Sequence, residues 1–278
     1  MRIDAHQHFW KLDRGDYGWL KPELPLLYRD YLPEHLASDL KRHSFDRTIL
    51  VQAAQTLEET AYMLTLSEQT EWIGGVVGWL DLNDPAYKEH YKRFSNHPKF
   101  VGFRVMIQEM ADPSSVLQPH FIEAMTYFAE QDVPVDLLVV SHQLESLVEL
   151  LARVPRLRGV VDHIAKPRIA AGIMEPWMSQ MKAIAEHPGI YCKLSGMVTE
   201  ADHQHWKPSD ITAYVQYAIE VFGTHRVMFG SDWPVCLLAA SYDQVVDILE
   251  QALPDGLSTE EKEQLFGGNA KTFYKLID

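Results

Sequence analysis

The segment His6-Gln7-His8 sets two imidazoles two residues apart. Side chains alternate along an extended strand, so both rings point to one face, where two neutral nitrogens can fill two positions on a divalent cation, zinc being the commonest catalytic choice. Alone, a His-x-His reads equally well as one buried histidine satisfied by a carbonyl. Asp232, in the run VMFGSDWPV, adds a carboxylate that can bind a metal and take a proton from attacking water. By itself, an Asp before Trp-Pro is a turn residue. Its pairing with His-x-His gives it weight, because the first and last strands of a closed barrel adjoin. In VVDHIAKP, His163 offers a third imidazole, and strand alternation turns Asp162 the opposite way, as a structural group.

Arg104 is flanked by apolar residues in VGFRVMI. A charge in such a run points at a ligand, a carboxylate or water. Asp136 and Lys193 pose the same alternatives, an inward functional group or a buried ion pair, with Lys193 favoured by its place two residues before a strand end. Gln52, Trp79 and Asp81 at strand ends, with Trp10, Trp19 and Trp233, could shape a pocket for a polyhydroxy ligand. For any one tryptophan, packing at the rim is the competing fate. His35, His43, His90, His97, His187, His203 and His205 fall in helical or loop patterns and read as solvated. No Gly-rich phosphate cradle stands between a strand and a helix, so a nucleotide cofactor is not indicated.

Eight β-rich runs must position these groups: Arg2 to His8, Thr48 to Ala53, Gly75 to Leu82, Phe100 to Ile107, Val135 to Val140, Gly159 to His163, Ile190 to Ser195 and Val227 to Asp232. Helical periodicity fills the gaps at Thr56 to Thr70, Phe121 to Gln131, His142 to Arg153 and Tyr214 to Phe222. This alternation predicts parallel βαβ units closing into a single (β/α)₈ TIM barrel over residues 1–278. Ser258 to Phe266 opens with a capping box, and Gly267-Gly268 interrupts that last helix. Lys11 to Tyr31 and Ala170 to Trp177 break the repeat after strand ends, on the face where such barrels carry active sites, and are read as substrate-covering loops. The aromatics of the first could instead plug the barrel end.

At 278 residues, 46% hydrophobic and 23% charged, the chain fits one barrel-sized domain. A net charge of −14 argues against nucleic acid and anionic membranes, which demand clustered Lys and Arg. Cys192 and Cys236 lie far apart in apolar runs, as inert thiols in a reducing compartment. MRIDAHQHFW lacks the apolar stretch of a signal peptide, and no run reaches the roughly 18 to 20 apolar residues of a membrane helix. A cytoplasmic enzyme acting on a small molecule is expected, with a homo-oligomer left open.

Seven motifs recur in family order: RIDAHQHFW, QTLEET, GWLDL, GFR, DHIAKP, KLSG and FGSDWPV. The chain resembles the amidohydrolase-2 family along its whole length, and within it the sugar-acid lactonases of the L-fuconolactonase and L-rhamnono-lactonase group. The resemblance implies a (β/α)₈ barrel, hydrolysis of a sugar lactone to its aldonic acid in carbohydrate metabolism, and a site at His6, His8, His163 and Asp232. It departs from the wider superfamily at strands four and five, where Arg104 and DLLVV supply no second-metal ligands. One divalent cation, zinc by preference, is therefore expected, and a metal-free route is chemically sufficient for an ester. In the implied mechanism Asp232 takes a proton from water, and the attacked lactone's ring oxygen receives it. Arg104 would meet the developing oxyanion or the acid product. Two rival readings remain, a metal-dependent decarboxylase of aromatic or unsaturated acids and a non-catalytic sugar-binding barrel.

Overall fold

A computed structural model describes residues 1–277. The strands β1 (Ile3–Gln7), β2 (Arg47–Val51), β3 (Ile73–Trp79), β4 (Phe100–Met106), β5 (Val135–Leu138), β6 (Gly159–Val161), β7 (Ile190–Leu194) and β8 (Val227–Phe229) form one parallel sheet in sequence order. Between them run α1 (Pro33–Arg42), α2 (Leu57–Gln69), α3 (Tyr87–Ser95), α4 (Pro119–Glu130), α5 (Leu144–Arg153), α6 (Trp177–Ala185), α7 (Met197–Glu200) and α8 (Pro208–Phe222). After β8 come α9 (Tyr242–Ala252), α10 (Thr259–Glu263) and α11 (Asn269–Phe273). This is the nearly closed barrel that the eight β-rich runs predict.

Two apolar layers result from strand alternation. Leu50, Val76, Phe103, Val135 and Val161 face the helices in one cluster. Ile3, Ala5, Ile49, Val51, Val77, Val160 and Met228 face inward, where Phe273 and Tyr274 plug the lower end. Higher in the interior the filling becomes ionic, with Arg104, Asp136, Asp162 and Lys193 all buried.

The seam between β8 and β1 is a single parallel bridge, Gln7 to Trp233. His8 N–H donates to the Trp233 carbonyl at 2.7 Å, and Asp232 N–H donates to the His6 carbonyl at 2.8 Å. Asp4 fastens the same seam from outside: its carboxylate accepts from Ser231 N–H at 2.9 Å and from the Tyr242 hydroxyl at 3.1 Å. Burial lifts its pKa to about 6, against the pull of these hydrogen bonds.

Most predicted strands overrun the observed ones at the C-terminal end, because the chain leaves the ladder there to aim side chains into the site. The differences that bear on the site are in β6 and β8. The first ends at Val161 rather than His163, the second at Phe229 rather than Asp232. The Ser258 capping box is present, with Ser258 Oγ accepting from Glu261 N–H at 3.2 Å. The final helix, however, passes through a wide turn at Gln264–Gly268 and continues as α11. Gly267 is required there, since a Cβ would stand 2.2 Å from the Met1 carbonyl oxygen.

Candidate active site

Strict alternation from Ile3 and Ala5, both interior, would turn His6 outward. A register shift between Asp4 and Gln7 re-aims it into the barrel. His6 and His8 consequently share one site, with their Nε2 atoms 3.2 Å apart. Asp232 Oδ1 lies 3.3 Å from His8 Nε2, 3.8 Å from His6 Nε2 and 3.9 Å from His163 Nε2. All four side chains are nearly inaccessible.

His163 reaches this point by an unusual path. Beyond Val161 the backbone enters the left-handed region at His163 (φ 53°) and stays there through Lys166. Alternation no longer applies, so Asp162 also turns into the barrel, contrary to the sequence expectation. Its carboxylate meets His6 Nδ1 at 3.3 Å, Lys193 Nζ at 3.1 Å and Arg104 Nη1 at 3.3 Å. His163 Nδ1 pairs with Ser195 Oγ at 2.8 Å. Gly196 keeps a positive φ beneath the ring, where a Cβ would stand 2.8 Å from Nδ1.

The protonation pattern suits metal ligation. Burial holds the His6 imidazole well below its ordinary pKa, helped by the Lys193 ammonium, and burial lowers His163 to about 4. Both rings are therefore neutral at pH 7. Burial opposes ionisation of Asp232, whose carboxylate is ringed by the three imidazoles within 3.9 Å. His8 Nδ1 faces the Val51 carbonyl at 2.8 Å, so it must carry the proton, leaving the Nε2 lone pair free. Asp162 can accept from His6 Nδ1–H in the same way, which turns His6 Nε2 toward His8, with Arg104 Nη1 at 3.5 Å. Thus His6, His8 and Asp232 offer three ligand atoms within 4.8 Å of one another, a set that fits one divalent cation. A second set, His6, Asp162 and His163, has comparable spacing. Lys193 already supplies a cation there, in contact with His6, Asp162 and Asp136.

This cluster forms the floor of a cavity of about 450 Å³ at the C-terminal end of the strands, with Asp16, Trp19, Gln55, Gln108, Glu109 and Lys166 in its wall. Trp19 is anchored by Nε1–H to the Ala53 carbonyl at 2.7 Å. Glu59 holds the facing loop, accepting from Ala53 N–H at 3.0 Å and Ala54 N–H at 2.7 Å.

A sequence profile of the amidohydrolase family matches residues 3–276. The chain belongs to this family. The amidohydrolase is 38% identical to an L-fucono-1,5-lactonase of Burkholderia ambifaria, over 99% of this chain and 96% of the relative. An amidohydrolase from Burkholderia multivorans, solved with bound zinc, superposes with a TM-score of 0.95 at 37% identity, with all of both chains covered. A 2,6-dihydroxybenzoate decarboxylase from Rhizobium shares the fold at a TM-score of 0.70 and 15% identity, over 99% of this chain and 98% of the other.

The other expected site residues are distributed unevenly. Arg104 reaches the cavity, but its terminal nitrogens are engaged by Asp162 and by the carbonyl and side chain of Gln52. Gln52 itself is fully buried behind it. Lys193 lies deeper still, inside the barrel. Trp79 and Asp81 line a side pocket of about 160 Å³ that shares Gln55, Met106 and Glu109 with the main cavity. Trp10 and Trp233 lie beneath the first loop: Trp10 donates to the Arg29 carbonyl at 2.8 Å, and Trp233 packs edge-on against Phe9 and Tyr31. Asp16 and Trp19 of that loop face the cavity, while its other aromatics plug the rim. Residues 170–177 add no described residue to the cavity wall, and Trp177 instead begins α6 and donates to the Ile164 carbonyl at 2.7 Å.

Sequence reasoning assigned no role to Glu59, Ser195 or Tyr274. Tyr274 reaches from the lower plug to donate to Asp136 at 2.8 Å. None of the three stands in a motif with a mechanistic signature. Both cysteines are buried, as expected. Among the described residues no helix is long and apolar enough to cross a membrane.

Proposed function

We propose that this amidohydrolase opens the lactone ring of a sugar acid, of the L-fucono, L-rhamnono or L-galactono type, to give the aldonic acid. The observation that carries the reading is the Asp232 carboxylate, set within 3.9 Å of three imidazoles on the floor of a cavity whose wall mixes polar and apolar side chains. The full-length similarity to L-fucono-1,5-lactonases supports the same substrate class. Among the described lining residues Trp19 is the one Phe, Tyr or Trp side chain, and Asp16, Gln55, Gln108 and Glu109 supply polar groups beside Met106, Leu138 and Val235. These groups suit a ring bearing hydroxyls better than a flat aromatic acid.

In this reading Asp232 takes a proton from water as the water oxygen bonds to the lactone carbonyl carbon. The C–O ring bond then breaks, and Asp232 returns the proton to the departing ring oxygen. A divalent cation held by His6, His8 and Asp232, zinc in our reading, would polarise the carbonyl and make the water more acidic. His8 keeps its Nε2 lone pair directed at that point through the Val51 carbonyl. Asp162 orients His6, while Arg104 holds Asp162.

Proton release on a panel of aldonolactones, with protein as purified, chelated and zinc-supplemented, tests the reading. Fast turnover of one stereochemical subset, lost on chelation and restored by zinc, is expected. Absence of turnover under all three conditions overturns it.

A further inference from the structure

The four residues His163, Ile164, Ala165 and Lys166 have φ values of 53°, 46°, 57° and 46°. Consecutive non-glycine residues in this region are costly, because Cβ crowds the following carbonyl oxygen, and strain of this kind collects where a site demands it. Packing maintains the turn here. Ile164 and Ala165 are fully buried, and Trp177 pins the Ile164 carbonyl. Lys166 N–H donates to the His163 carbonyl at 2.8 Å, closing a three-residue turn in which positions i and i+3 lie over one another. The strained segment therefore presents His163 and Lys166 to the same cavity.

The two cations of this cavity differ in what holds them. Arg104 is committed to Asp162 and Gln52. The Lys166 ammonium makes no hydrogen bond or ion pair with a described residue; Glu200 feels its charge without pairing. Lys166 is thus the cavity cation left free for a ligand. Resting on the lactonase reading above, we propose that Lys166 is a catalytic residue whose ammonium binds the lactone carbonyl oxygen, stabilises the negative charge that develops on it, and then holds one oxygen of the product carboxylate. Packing carries the cost of the left-handed turn, which places His163 and Lys166 on one short segment facing the cavity.

The test compares wild type with Lys166→Met and Lys166→Cys in the same proton-release assay, at full zinc loading. Loss of an oxyanion donor should lower kcat by about 10² to 10³ with a much smaller change in KM. Cys192 and Cys236 are fully buried, so bromoethylamine should alkylate the new thiol selectively. Restoring an ammonium in this way should raise kcat of Lys166→Cys by about tenfold or more, and iodoacetamide should not. Variants within about threefold of an active wild type, by the same measure of oxyanion stabilisation, overturn the proposal alone. A loss that aminoethylation does not repair assigns Lys166 to holding the turn and also overturns it. A wild type inactive on every lactone overturns both this proposal and the reading beneath it.

Discussion

Nζ of Lys193 stands 3.0 Å from Nδ1 of His6, inside the barrel and completely shielded from solvent. It also touches Asp162 and Asp136, so one ammonium bridges two buried carboxylates beneath the cavity floor. Burial still lifts Asp136 to about 6, while Lys193, His6 and Arg104 overcome burial at Asp162 and keep it ionised. The position that a second metal would need is held by a side chain.

Lys193→Met should therefore have two effects. Among the described residues, Asp136 would lose its only cation and Asp162 would keep only Arg104, which should destabilise the fold by about 3 to 5 kcal/mol, read as a lower denaturant midpoint. It should also open the set His6, Asp162 and His163, raising zinc content above the one ion per chain expected of wild type. Two ions per wild-type chain, measured by elemental analysis after dialysis, would contradict the assignment.

Asp232→Asn should retain the fold, because the 2.8 Å bond from its main-chain N–H to His6 is untouched. An amide cannot accept the proton of water, so kcat should fall by about 10² to 10⁴. Acid release followed alongside far-UV dichroism separates the two properties, and turnover close to wild type would remove Asp232 from the chemistry.

Glu59 gives a pH dependence of definite sign. Burial raises its pKa from 4.5 to about 8, against the lowering effect of the Ala54 and Ala53 N–H groups. The unfolded chain releases this proton near 4.5 and the folded chain near 8, so stability present at acid pH is lost as pH rises through that interval. Melting temperatures of wild type and Glu59→Gln, compared from pH 5 to 8.5, should diverge in favour of the variant with rising pH. Parallel curves would show that Glu59 is already ionised in the native protein.

Trp19 is 40% exposed and forms the cavity's aromatic wall. Trp19→Ala removes ground-state and transition-state contact alike, so KM should rise by about tenfold with kcat little changed. A fall in kcat with KM constant would instead place the indole against the reacting atoms.

The barrel was legible because eight short β-rich runs alternate with helical patterns, and the clustering of His8, His163 and Asp232 was legible because each ends such a run. Local geometry at those ends was not. Alternation predicts that Asp162 points away from His163, yet the left-handed turn places both in the site. The same rule applied from Ile3 and Ala5 would misdirect His6 without the register shift that no residue in β1 announces. Partners distant in sequence were also hidden: Tyr274 meets Asp136 138 positions away, and Lys193 meets His6 187 positions away. The fates of Trp10 and Trp19 diverge through the path of one loop, which their shared residue type cannot encode.

The seam between β1 and β8 has a consequence for how activity is acquired. Ser231 Oγ and the His6 carbonyl, joined at 3.4 Å, are 225 positions apart, and ordering a loop of that size is the slowest kind of contact to form. A refolding chain can complete seven βα units, with nearly all its helix and most of its sheet, while Asp232 is still far from His6 and His8. Recovery of turnover should then lag recovery of the dichroism signal, making catalysis a kinetic reporter of ring closure.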